Sequence, residues 1–149
     1  MALVLRPYRD QDREPAIALW QRAWAAAMPE IDFAQRLSWW RTRWSEELVP
    51  NNRVVVAEEA GNLAGFVVID PKSGWLDQIV VEPARWGSGI AEQLFEEAKR
   101  LSPSGINLDV NQSNARAVRF YERVGFKRTG EGVNALSGRP TFLYEWKPN

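Results

Sequence analysis

Residues Trp86 to Ala91, inside "VVEPARWGSGIAEQLFEEAKR" (Val80 to Arg100), set two glycines between a β-branched run and an amphipathic one. A missing Cβ lets backbone amides approach a ligand closely, and amides at a helix start favour anions, so this stretch reads as an anion cradle. The remaining chemistry is narrowed by absence. The chain has no Cys and no His, which excludes disulfides, thiolate nucleophiles, Cys-ligated zinc and a Ser-His-Asp arrangement. Proton transfer falls to carboxylate, Tyr, Lys or water, and no metal is expected.

The identity of the anion is a contest between phosphate motifs. A P-loop places Lys and Ser or Thr after its last glycine, whereas Gly89 is followed by Ile90 and Ala91. A dinucleotide turn finds Gly87-Ser88-Gly89 and an acid, Asp109, about 20 residues on. It lacks the third glycine, and "EPARW" separates Val81 from Gly87 where that fingerprint wants glycines almost directly after the strand.

The elements that must position this turn follow from periodicity. Leu3 to Arg6 reads as a strand. Asp12 caps a helix with Ile17, Trp20, Trp24 and Ala27 on one face, ended by Pro29. Asp32 and Gln35 form a capping-box pattern ahead of Phe33, Leu37, Trp40, Trp44 and Leu48 at helical spacing. "RVVVAEE" and "LAGFVVID" make a hairpin turning at Gly61-Asn62, and "WLDQIVV" is the next strand. After the glycines, Ile90, Ala91, Leu94, Phe95, Ala98 and Leu101 share a helix face. "INLDV" is a strand, Ser113 or Asn114 caps a helix stopped by Gly125, and "FKRTG" and "TFLYEW" are strands joined by the turn-rich "GEGVNALSGRP". The fold class is α/β (α+β): a mixed, mostly antiparallel sheet of about seven strands flanked by about four helices, in the order β-α-α-β-β-β-α-β-α-β-β.

A chain of 149 residues, 45% hydrophobic and 26% charged, is expected to form one domain over 1–149. Lys+Arg and Asp+Glu both number 19, so no net field favours nucleic acid or a membrane surface as partner. "MALVL" is too short for a signal-peptide core, and no apolar run approaches the roughly 18 residues of a membrane span, so a cytoplasmic location is expected.

The turn and a second block carry a family resemblance. "VVEPARWGSGIAEQLFEEA" resembles the acyl-CoA-binding motif of the GNAT superfamily of N-acetyltransferases, Q/R-x-x-G-x-G/A opening a helix. Trp86, Gly87, Ser88, Gly89, Ile90 and Ala91 match it, with Trp86 where Gln or Arg is usual. "NQSNARAVRFYERVGF" resembles the family's N-x-x-A-x-x-F-Y-x-x-x-G-F at Asn114, Ala117, Phe120, Tyr121, Gly125 and Phe126. Both blocks stand in the family's order and separation, and the element order resembles the family's fold over nearly the whole chain.

The resemblance implies acetyl-CoA as cosubstrate, its pyrophosphate on the amides of Trp86 to Ala91. The pantetheine arm would lie on the backbone of Ile79, Val80 and Val81, with Val80 or Val81 polarising the thioester carbonyl. Asn114 would contact CoA, with Asn111 a weaker neighbour, and Tyr121 would protonate the departing thiolate. For the base Asp77 is the candidate, with Glu30, Asp32 and Glu47 in reserve. The amine substrate, a small molecule or peptide, would lie by the first two helices and the loop before the last strand. There Trp39, Trp75 and Arg139 are pocket candidates, while Trp20, Trp24, Trp40 and Trp44 read as core. A homodimer is compatible with the family. The implied activity is N-acetyl transfer to a primary amine; the alternative is a noncatalytic acyl-CoA-binding sensor or assembly module on the same fold.

Overall fold

Strong β formers concentrate in mid-chain and build its centre: β2 (Arg53–Glu59) and β3 (Asn62–Asp70). The computed structural model describes residues 2–149. Five further strands join them, β1 (Leu3–Pro7), β4 (Trp75–Val81), β5 (Ile106–Asn111), β6 (Lys127–Val133) and β7 (Pro140–Trp146). The helices are α1 (Arg13–Ala27), α2 (Leu37–Arg43), α4 (Ile90–Leu101) and α5 (Ala115–Arg123); α2 passes through one wide π-helical turn, Trp44–Leu48, into the single turn α3 (Val49–Asn51). The element order is the expected one.

The sheet runs β1-β2-β3-β4-β5-β7-β6 and is antiparallel except where β4 meets β5. Period-two alternation along β3 divides the core. Phe66 and Val68 face α1 and α2, with Ile17, Trp20, Trp40 and Trp44; Val67 and Ile69 face α4 and α5, with Leu94, Phe95, Leu108 and Tyr121. A strand buried on both faces reads as a continuous apolar run, as "LAGFVVI" does.

The parallel junction of β4 and β5 is the feature on which the site depends. These strands pair only at Trp75 and Asn107 and then diverge. Beyond that point the edge of β4 away from β3 has no strand partner. In β4, Leu76 pairs with Ile69 and Gln78 with Val68, leaving Asp77 as the extra residue of a bulge.

Four local expectations are corrected. Asp12 precedes α1, but its carboxylate does not cap that helix: it accepts from the Arg9 amide at 2.8 Å and from Arg6 at 2.8 and 2.9 Å. Asp32 accepts from the amides of Ala34 and Gln35 at 3.1 and 3.2 Å, yet turns intervene before α2 begins at Leu37. The hairpin turns one residue earlier, with Ala60 and Gly61 at φ 54° and 80° and Asn62 already paired to Glu59. Strand β6 runs on to Val133, so the final turn shrinks to residues 134–139.

Candidate active site

The glycine turn closes through its neighbours. Gly87 and Gly89 take φ of 82° and 93°, values that a side chain resists. Gly89 provides no capping side chain to α4, so the first-turn amides, which lack intrahelical partners, stay open. Trp86 is anchored, its indole donating to the Val81 carbonyl at 2.9 Å. Over its ring lies Arg116, guanidinium carbon 3.6 Å from the centroid. Burial pushes the Arg116 guanidinium below its ordinary value, and no carboxylate acts on it. Trp86, Gly87, Gly89, Ile90, Ala91, Arg116 and Arg119 help line a cavity of about 670 Å³.

That cavity shares Ile79, Val81, Arg116, Ala117 and Tyr121 with a narrower one of about 160 Å³ in the cleft between β4 and β5. Tyr121 is only 8% exposed, its ring edge-on to Phe126, and its hydroxyl has no hydrogen-bond partner among the described residues. Burial pushes its phenol well above the ordinary range; Arg116 opposes that rise and Asp109 adds to it. Asn114, also on this cleft, accepts from the Ala117 amide at 3.3 Å and so caps α5.

The cleft in turn shares Trp24, Asp77, Gln78, Asp109, Asn111 and Asn134 with a third cavity of about 330 Å³, walled by α1, α2 and residues 134–137. Trp39 and Trp75 line it, and Trp24 donates to Gln78 at 3.0 Å. Asp77 is held by Arg43 through two bonds of 2.5 and 2.9 Å. Asp109 has no side-chain partner among the described residues; though exposed, it lines the cleft, where partial desolvation and then the charge of Asp77 push its carboxyl up. Asn111 is 8% exposed, and its buried Oδ1 has no hydrogen-bond partner.

A linked track thus runs from a glycine turn, past a buried tyrosine, to an aromatic chamber. The family described as "Acetyltransferase (GNAT) domain" matches residues 31–136. The chain belongs to the GNAT family. It is 31% identical over 145 residues to the peptidyl-lysine N-acetyltransferase YjaB of Salmonella typhimurium, covering 94% of each chain. The solution structure of apo YjaB from Escherichia coli superposes with TM-score 0.79 at 26% identity over 98% of both chains. A PaiA N-acetyltransferase from Thermoplasma acidophilum, solved with coenzyme A, gives TM-score 0.82 at 19% identity over 99% of this chain and 100% of that one, a likeness of fold. The chain is accordingly an acyl-CoA-dependent N-acetyltransferase, which sets the noncatalytic module aside. No helix among the described residues is long and apolar enough to cross a membrane.

Within this GNAT fold most residues singled out from the sequence lie on the track. Asp77, Ile79, Val80, Val81, Asn114 and Tyr121 meet in the cleft, and Trp39 and Trp75 in the chamber. Ser88 is exposed and lines none of the three cavities; its hydroxyl donates back to the Arg85 carbonyl at 2.5 Å. Arg139 lines none of the three cavities and instead pairs with Glu30 at 3.3 Å. Glu30, Asp32 and Glu47 also lie off the track. Sequence reasoning missed Arg116 as a cation at the turn and Arg36 and Arg43 at the chamber, and weighed Asp109 only as a ribose ligand. The one available signal was Trp86 itself, since a missing Gln or Arg invites a search for a substitute.

Proposed function

We propose that the protein transfers the acetyl group of acetyl-CoA to the primary amine of a small-molecule or peptide substrate by direct attack. Tyr121 acts as general acid and Asp109 as proton acceptor. The reading is carried by one observation: an unbonded tyrosine hydroxyl in a cleft that joins an amide-lined turn to a chamber holding an unpaired carboxylate.

The open amides at Gly87, Gly89, Ile90 and Ala91 suit the pyrophosphate, at the positive end of the α4 dipole. Arg116, seated on Trp86, offers the charge that an Arg at position 86 would otherwise bring. The free edge of β4 suits the amide-bearing pantetheine arm as an added strand, and an amide of Val80 or Val81 suits the thioester carbonyl. The substrate ammonium gives a proton to Asp109 and the neutral amine attacks. The C–N bond forms, the C–S bond breaks, the thiolate takes the Tyr121 proton, and the second proton that the nitrogen sheds as the amide forms passes through solvent to restore the phenol. Burial keeps that phenol protonated until it is needed, and Arg116 favours the phenolate left behind.

For the base, Asp109 is preferred to Asp77 on chemical grounds. Both Asp77 oxygens are taken by the Arg43 guanidinium, so a proton placed on either would break that pair. Asp109 has no such partner, and its upward shift brings it nearer to the working pH. Asp77 then serves to hold Arg43 and to repel the Asp109 charge.

The test is CoA release with a panel of amines. Tyr121→Phe should lower kcat by roughly 10² to 10⁴ with acetyl-CoA binding retained, and Asp109→Asn by a similar factor. Wild-type kcat in Tyr121→Phe would rule out the acid, and a larger loss in Asp77→Asn than in Asp109→Asn would return the base to Asp77.

A further inference from the structure

The chamber keeps one unpaired charge of each sign. Arg43 and Asp77 neutralise one another, and Arg139 pairs with Glu30 outside. What remains is the Asp109 carboxylate, on β5, and the Arg36 guanidinium, just before α2. Arg36 stacks over Phe33 at 5.4 Å and has no carboxylate partner among the described residues. The same chamber exposes apolar surface that the fold had every reason to bury: Trp39 is 43% exposed, Trp75 37% and Leu136 49%. Two residues along β5 from Asp109, the side-chain Oδ1 of Asn111 is buried without a donor among the described residues.

We infer, on the acetyltransferase reading above, that the amine substrate is a small amino acid-like molecule with an aromatic or bulky apolar body, its ammonium on Asp109 and its carboxylate on Arg36. Three features of the chamber match three parts of such a ligand. An ammonium has three donors, and Asp109 with Asn111 Oδ1 supplies acceptors beside the Tyr121 cleft. A planar guanidinium already seated on an aromatic ring is preorganised for bidentate carboxylate binding. Exposed indoles offer stacking faces and area at low entropic cost. The volume of about 330 Å³ lies at the small end of ligand sites, roughly 300 to 1,000 Å³. A lysine side chain within a peptide brings an ammonium without a nearby carboxylate, and it leaves Arg36 unanswered. Because the YjaB relative is named for peptidyl-lysine, a lysine peptide is the proper competitor.

The experiment compares kcat/KM for L-phenylalanine, phenethylamine, glycine and a capped lysine peptide, using the full chain and acetyl-CoA. L-Phenylalanine should be best, exceeding phenethylamine, which lacks only the carboxylate, by at least about tenfold, the scale of one charged hydrogen-bonded pair. Arg36→Gln should erase that preference, lowering the rate with L-phenylalanine at least about tenfold more than with phenethylamine. The residual phenethylamine turnover reports that the variant is folded. A wild-type preference for phenethylamine, glycine or the lysine peptide overturns the substrate class and leaves acetyl transfer standing. CoA release with none of the four also overturns the substrate class, and the wider amine panel then tests acetyl transfer separately.

Discussion

At the scale of single residues, Trp86 changes meaning once its surroundings are known. As a sequence feature it is a departure from a family pattern; in the fold it is a platform, pinned to the Val81 carbonyl and carrying Arg116. A charge-assisted hydrogen bond to phosphate contributes about 1.5 to 3 kcal/mol. Arg116→Ala should therefore raise the KM for acetyl-CoA by roughly 10- to 100-fold and, with the Tyr121 phenolate deprived of its nearby cation, lower kcat as well, as initial rates against acetyl-CoA concentration will show; an unchanged KM removes Arg116 from the site. Asp109 makes a second prediction. Its carboxyl sits above the usual carboxylate range, so kcat/KM should fall as pH drops through that raised value, when the base becomes protonated. The stability sign is the reverse. A raised folded pKa stabilises the folded state below the unfolded value, near 3.9, and this contribution is lost as pH rises through the folded pKa. Because Asp109 is exposed on β5 and solvent screens most of this cost, Asp109→Asn should raise Tm only slightly at neutral pH and give no gain at pH 3, measured by thermal melts at both. A lower neutral Tm would show that Asp109 is not desolvated at cost. Neither residue's role was legible in the sequence: Arg116 acquires its role by stacking across to another element, and Asp109 by facing Asp77 across a cleft between two strands.

At the scale of elements, most of the fold was legible because strong periodicities met few competitors. β3, β4 and α4 follow directly from β-branched runs and from a helix stripe of Ile90, Leu94, Phe95 and Ala98. The start of α2 was not, since Asp32 satisfies two amides within a turn without continuing into a helix, and the tryptophans that follow pack by tertiary contact, Trp20 on Trp40 at 4.3 Å. The divergence of β4 and β5 has no sequence signature at all, because it is an unmade pairing. Asp12 was legible as a helix entrance but not as a clasp. Its side chain, 6% exposed, faces Arg6 on β1, 16% exposed, and the Arg6 guanidinium holds its carboxyl below the usual range. Removing Asp12 leaves the Arg6 guanidinium with Glu58 alone, at 3.0 Å, and costs about 1.5 to 3 kcal/mol, the scale of a hydrogen bond to a charged group. Asp12→Asn should destabilise by that order in urea melts, loosening α1 from the sheet edge. A depressed folded pKa stabilises above the unfolded value and is lost as pH falls through the folded one. The wild-type advantage over Asp12→Asn should accordingly shrink below about pH 4; a constant difference from pH 7 to pH 3 would mean that the pair contributes no net charge interaction.

At the scale of the whole molecule, the sheet is two antiparallel blocks joined by one backbone pairing. Strands β1 to β4 form one block and β5 to β7 the other, bridged between Trp75 and Asn107. The cleft that opens beyond this bridge is where the proposed pantetheine arm would lie, so the cosubstrate should act as a missing piece of the sheet. Anything that binds only the folded chain stabilises it by RT ln(1 + [L]/Kd), about 2.7 kcal/mol at a hundredfold excess over Kd. For a chain of this size that corresponds to a rise in Tm of roughly 5 to 10 °C. The location of the gain is the sharper expectation. Amide hydrogen exchange should slow along the free edge of β4, residues 76–81, and at the turn 86–91, more than in the paired strands β1 and β2, which no ligand need touch. Arg116→Ala should reduce the rise in Tm at a fixed CoA concentration, whereas Tyr121→Phe, which alters proton transfer rather than the grip on pyrophosphate, should retain most of it. A rise in Tm with protection confined to the turn would place the pantetheine arm elsewhere, and the divergent strands would then be a structural consequence of the β4 bulge alone.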